Sequence, residues 1–130
     1  MLILDDVRKG DIIEYSYSLI GFNPVFAGKY DERWPTRFEV PVYQLHYSII
    51  APLKRPLRIK NYLEQVACSR KKEGRQMIYD WKLGARPALH AQDELPEWYD
   101  PFPAIQATEY QSWNEVSRWA GALFPPLKKF

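Results

Sequence analysis

One cysteine, Cys68, stands in 130 residues, so no disulfide can close within the chain, and a lone thiol leaves the redox compartment open. There are only two histidines, His46 and His90. A nucleophilic pair would have to bring Cys68 to one of them together with an orienting third group. Cys68 lies in QVACSRKK, which has none of the helix-terminus context that activates a thiol, and this points to a structural role. No run approaches the ~20 apolar residues of a membrane span, and the start, MLILDDVRKGD, turns charged too early for a signal peptide. Eighteen basic against sixteen acidic residues leave a net charge of +2, too small a field to draw nucleic acid or an anionic membrane. Internal repeats, low-complexity tracts and phosphate-cradling glycine loops are also missing, which excludes solenoids and leaves one compact unit.

What the chain has in excess is aromatic residues, 15%, and eleven prolines, a combination that favours β-structure with rigid loops. After the turn at Lys9-Gly10-Asp11, IIEYSYSLI alternates, with Ile13, Tyr15, Tyr17 and Leu19 on one face, and predicts a half-buried strand. VFAGKYDERWPTRFEVP, which contains Trp34, suits an irregular loop or short edge strand. A second strand is predicted over 42–51, ended by Pro52. Leu57, Ile59 and Leu63 then lead towards Cys68 as one arm of a hairpin tipped by RKKEGR. QMIYDWKLG is the other arm, presenting Met77, Tyr79, Trp81 and Leu83 to the core. Residues 84–104 hold four prolines and read as an extended segment wrapping the sheet, before a short strand near 104–109. The expected architecture is an all-β, antiparallel β-sandwich-like domain of four or five strands followed by a C-terminal α-helix.

That helix is announced by SWNEVSRWAGALFPP. Ser112 and Glu115 form a capping box, in which Glu115 reaches back to the Ser112 amide, and Pro125 disfavours helical geometry at Phe124. Trp113, Val116, Trp119, Ala120, Leu123 and Phe124 share one stripe, which a helix of about twelve residues must bury against something. Trp113, nearer the exit from the sheet, is expected to be buried and Trp119 only partly so.

The remaining constellations favour plain readings. QDELPEWYD offers Asp93, Glu94, Glu97 and Asp100, but Pro96 interrupts any calcium loop, so no metal site is expected and no cofactor is implied. Lys54, Arg55, Arg58 and Lys60, with Arg70, Lys71, Lys72 and Arg75, suit protection of strand edges. Trp34, Trp98 and Tyr99 sit among charges and prolines and are the better surface aromatics. Together with Trp119 they make up the candidate interaction surface.

VRKGDIIEYSYSLIGFNP, YDWKLGARPAL, DELPEWYDPFPAIQ and SWNEVSRWAGALF together resemble a bacterial domain of unknown function that precedes transglutaminase-like cores. The resemblance implies a non-catalytic accessory domain, residues 1–110, lacking the first strands of the family's domain, and a connector helix and tail over 111–130. It implies as partner a papain-like core with its own cysteine, histidine and aspartate, and an extracytoplasmic setting. No catalytic role carries over to Cys68, and the isolated chain is expected not to be an enzyme. The alternative is a free-standing carbohydrate- or peptide-binding module using Trp34, Trp98 and Tyr99.

Overall fold

A computed structural model describes residues 6–14, 20–21, 23–91 and 94–124. Strict alternation makes Gln76–Leu83 the strand on which one sheet is built, because Tyr79, Trp81 and Leu83 all fall on one face and all are buried. This strand, β5, lies between β2 (Leu45–Pro52) and β4 (Ser69–Glu73), both antiparallel to it. Tyr47 stands opposite Trp81 and Ile49 opposite Tyr79, so β2 adds its odd-numbered residues to the same apolar face. The β4–β5 turn is the two residues Gly74 and Arg75, with Gly74 at φ +56, where a glycine avoids the Cβ penalty.

The second sheet has the order β1-β6-β3, formed by Asp31–Pro35, Ala104–Thr108 and Arg58–Tyr62. Its centre is β6, whose Ile105 and Ala107 are fully buried. The predicted short strand near 104–109 is therefore an interior strand, made possible because all four prolines between Gly84 and Ala104 lie before it. Trp34 of β1 joins the two sheets: its ring lies 5.6 Å from Tyr47 and 6.2 Å from Trp81, while Tyr47 Oη donates to the Pro35 carbonyl at 2.8 Å.

The fold class is the one expected, mostly β with two antiparallel sheets and a C-terminal helix, and six strands occur among the described residues. Three expectations change. The partner of β5 in the hairpin is Ser69–Glu73, not a strand running from Leu57. Leu63 takes φ +62, which ends β3 and lets residues 63–68 cross from one sheet to the other. The 42–51 strand begins at Leu45, Val42 making only an isolated bridge to Arg86. Of the predicted IIEYSYSLI strand, residues 15–19 lie outside the described residues, and 12–14 are exposed and carry no strand pairing.

β4 is an edge, and its face-sharing register turns Arg70 and Lys72 towards the side of Tyr79 and Met77. The Arg70 guanidinium lies 5.6 Å from the Tyr79 ring centroid. A cation pointing inward from an edge strand discourages a further strand from pairing there, which is the role expected for this basic run.

One ionic latch fastens the end of β6 to two loops. Glu109 accepts from Arg55 Nε and Nη2, both at 2.5 Å, and from the Tyr30 amide at 2.6 Å, and Arg55 also donates to the Gly28 carbonyl. The Arg55 guanidinium holds the Glu109 carboxyl below its ordinary range, against the opposing effect of burial. A depressed carboxyl stabilises the fold above its unfolded pKa and loses that contribution as pH falls through its folded value. Glu109→Gln should therefore cost about 1–3 kcal/mol at neutral pH, less than a fully buried pair because the Arg55 side chain is 38% exposed. Urea melts between pH 7 and 3 should show the gap between variant and parent closing in the acid range.

Trp81 supplies a second check, since its ring is fully buried and its Nε1 has no hydrogen-bond partner among the described residues. Trp81→Ala should cost about 3–5 kcal/mol as a cavity. Trp81→Phe should cost only about 1–2 kcal/mol, because losing an unsatisfied donor offsets part of the lost contact. Equal losses in denaturant melts would contradict this account of the core.

Candidate functional site

The outward face of β1-β6-β3 carries the densest set of polar side chains. Register places Asp31 and Arg33 beside Thr108 and Gln106, and these beside Arg58 and Lys60. They bond to one another in a chain. Tyr62 Oη donates to Gln106 Oε1 at 2.6 Å, Gln106 Nε2 donates to Asp31 at 3.1 Å, and Thr108 Oγ1 donates to the other Asp31 oxygen at 2.6 Å. Such a chain fixes the rotamers of a surface that would otherwise be mobile. Two cations flank the Tyr62 ring, Lys60 at 4.5 Å and Arg33 at 4.9 Å from its centroid.

Helix α1 (Trp113–Leu123) closes one side of this face and completes a groove of about 430 Å³, with Trp113 and Val116 on the helix wall. Its start follows from the cap: Ser112 is extended and its Oγ accepts from the Glu115 amide at 3.3 Å. Glu115 reaches back as expected, but one residue further, accepting from the Gln111 amide at 3.0 Å and from Lys29 Nζ at 2.9 Å. Those two donors hold its carboxyl below the ordinary range, the Gln111 amide most. The end also follows the sequence, since Phe124, preceding Pro125, is extended at φ −111.

One of the two tryptophans takes the place expected of it and the other does not. Trp119 is half-buried: Nε1 donates to the Val25 carbonyl at 2.7 Å, and the ring lies 5.6 Å from Phe26 and 5.8 Å from Tyr110. Trp113, expected to be buried, is 81% exposed. The reason is where the helix is tied. Lys29 and Val25 hold it at Glu115 and Trp119, so the ring at its first turn stands clear at the groove's rim.

Trp34 lies in β1, the short edge strand that is one of the two expected forms, and is half-buried against the core rather than on the surface. Trp98 and Tyr99 do lie in a loop, edge to face at 6.1 Å, with Trp98 84% exposed. Asp100 anchors that loop, pairing with Arg33 at 3.0 Å and accepting from the Phe102 amide. Beside it a second groove of about 580 Å³ runs between Phe38, Val40 and Phe102. The four proposed surface aromatics thus do not converge: Trp34 belongs to the core, Trp119 to the helix anchor, and Trp98 with Tyr99 to the loop.

Cys68 packs against the core, whereas His46 sits on the opposite face of its sheet and pairs with Asp80 at 2.6 Å, which lowers the Asp80 carboxyl. The thiol thus lies on the core side and the imidazole on the outward side of the sheet. Among the described residues no group of three or more His, Cys, Asp or Glu side chains could hold a metal ion, and no helix is long and apolar enough to cross a membrane. Sequence reading missed the platform of Asp31, Tyr62, Gln106 and Thr108. Its one legible sign was the alternation of Arg58 and Lys60 with Ile59, because the partners come from three distant segments.

Residues 1–89 match a family described as a domain of unknown function with a solved structure, DUF3857. The chain belongs to this family. No curated protein matches the chain. A solved structure of a protein titled "putative protease", from Parabacteroides distasonis, is similar to this DUF3857 chain over 64% of its length, at 22% identity and a TM-score of 0.56. The likeness shows a shared fold, and it spans 16% of that longer chain.

The contrast between the two tryptophans makes a sharp stability forecast. Trp119→Ala should cost about 1–3 kcal/mol through lost ring contact and the lost Val25 bond. Trp113→Ala should change stability by less than about 0.5 kcal/mol, as at other exposed positions. Denaturant melts giving equal losses would show that the helix is seated differently.

Proposed function

We propose that this DUF3857 chain is a non-catalytic accessory domain that seats against a larger partner of the cysteine-protease or transglutaminase-like kind, in which the chemistry resides. The observation that carries the reading is the far end of α1. Leu123 is 45% and Phe124 76% exposed, at the end of a helix none of whose residues is fully buried. An amphipathic helix of eleven residues is marginal unless its apolar face is covered, and here only the Trp119 turn is covered. Exposed apolar side chains clustered at one end of a helix are the mark of an interaction surface. The neighbour described as a protease, in which the shared fold is a small part of the chain, supports the choice of partner. The separation of Cys68 from His46 supports a non-catalytic role.

Hydrogen exchange compares the 130-residue chain with the same segment inside its full parent protein. Amides of the last two turns of α1 should exchange rapidly in the chain alone and slow by at least about tenfold in the parent. Equal exchange in both would overturn the docking reading. A Cys68→Ala change should leave any amide-bond chemistry of the parent intact, and loss of turnover without loss of stability would place the chemistry here instead.

A further inference from the structure

The groove between α1 and the outward sheet face has features that neither edge protection nor a docking helix end explains. Lys60 has its ammonium over Tyr62 and no carboxylate partner among the described residues. Arg58, two residues along the same edge and on the same face, donates to the Gln111 carbonyl, a neutral acceptor. The groove's lone carboxylate, Asp31, is engaged by Gln106 and Thr108, so two cations face one occupied anion. Trp113 lines the same groove, 81% exposed and without the bonds that tie Trp119 among the described residues.

From this we infer that the groove binds a short acidic peptide segment carrying one large apolar side chain. Arg58 and Lys60 would receive the carboxylates, and Trp113 with Val116 would cover the apolar residue. The match is one of charge and shape. Unpaired cations set at fixed spacing recognise acidic motifs, and an exposed tryptophan at the rim supplies contact area with few rotors to freeze. Tyr62, Gln106, Asp31 and Thr108 are already locked to one another, so little ordering remains to be done on binding. A strand-edge role accounts for a lysine or an arginine on β3 but not for a tryptophan left in solvent above them. The site does not rest on the accessory role, since that reading depends on Leu123 and Phe124 at the other end of the helix.

The test titrates the whole 130-residue chain into a fluorescein-labelled peptide, Glu-Glu-Trp-Glu-Glu, followed by anisotropy. Saturable binding is expected, weakened by salt. Trp113→Ala and Lys60→Gln should each weaken it by about tenfold, Lys60→Arg should retain it, and Trp98→Ala should leave it unchanged. Replacing the glutamates by glutamine, or the tryptophan by alanine, should weaken binding comparably. Thermal melts confirm that each variant folds, as expected for exposed positions. Absence of binding, equal binding by wild type and both weakening variants, or tighter binding of tri-galacturonate than of the peptide would each overturn the proposal.

Discussion

Two three-stranded sheets hold together here because a band of aromatic rings fills the space between them. Trp34 comes from one sheet, Tyr47, Tyr79 and Trp81 from the other, with neighbouring ring centroids 5.6 to 6.5 Å apart. A sandwich-like domain of this size has little interior, and rings bury more area per residue than aliphatic side chains, so a few of them can supply what a larger core would spread over many. Trp81 is central enough to be fully enclosed even though its Nε1 finds no partner. An unmet donor costs on the order of 1–3 kcal/mol, and it is tolerated because the ring's contacts outweigh it.

The same packing decides what the outward face can be. With Trp34, Ile105, Ala107 and Ile59 turned inward, period-two alternation obliges Arg33, Gln106, Thr108, Arg58 and Lys60 to face out. A shift of one residue in the β3–β6 pairing would bury Lys60 and expose Ile59. The hydrophobic core thus sets the spacing of the groove's cations without touching them. The Glu109–Arg55 latch then fixes the chain just past β6, so that Tyr110 and the start of α1 are delivered to the groove's end.

Much of this was legible because it depends on neighbours in sequence. Alternation placed Tyr79, Trp81 and Leu83 on one face, Ser112 and Glu115 marked the helix start, and Pro125 marked its end. What could not be read depends on distant pairings. Nothing in the sequence says that 58–62 pairs with 104–108 rather than with 76–83, since both have apolar alternation to offer. The stretch around Trp34 suits a loop or a short edge strand and is the edge strand, where a proline at the end is tolerated, but nothing local says that the ring turns to the core. Trp113 and Trp119 belong to one stripe by periodicity. Which of them is covered depends on Val25 and Lys29, some ninety residues earlier in the chain.

That last dependence gives the helix its character. It is tied at Glu115 by a cap and an ion pair and at Trp119 by a hydrogen bond and two rings. Both ties lie within four residues, about one helical turn. Eleven residues separate Trp113 from Phe124, roughly 16 Å along the axis, so the two exposed rings flank the tie and cannot serve one small ligand. Trp113 overlooks a rigid polar sheet face, whereas Phe124 marks the point at which the chain departs from the helix in extended form. The helix therefore separates two surfaces of different chemistry: a basic groove with a hydrogen-bonded floor at its start and an exposed apolar end. Each can be altered without loosening the tie between them.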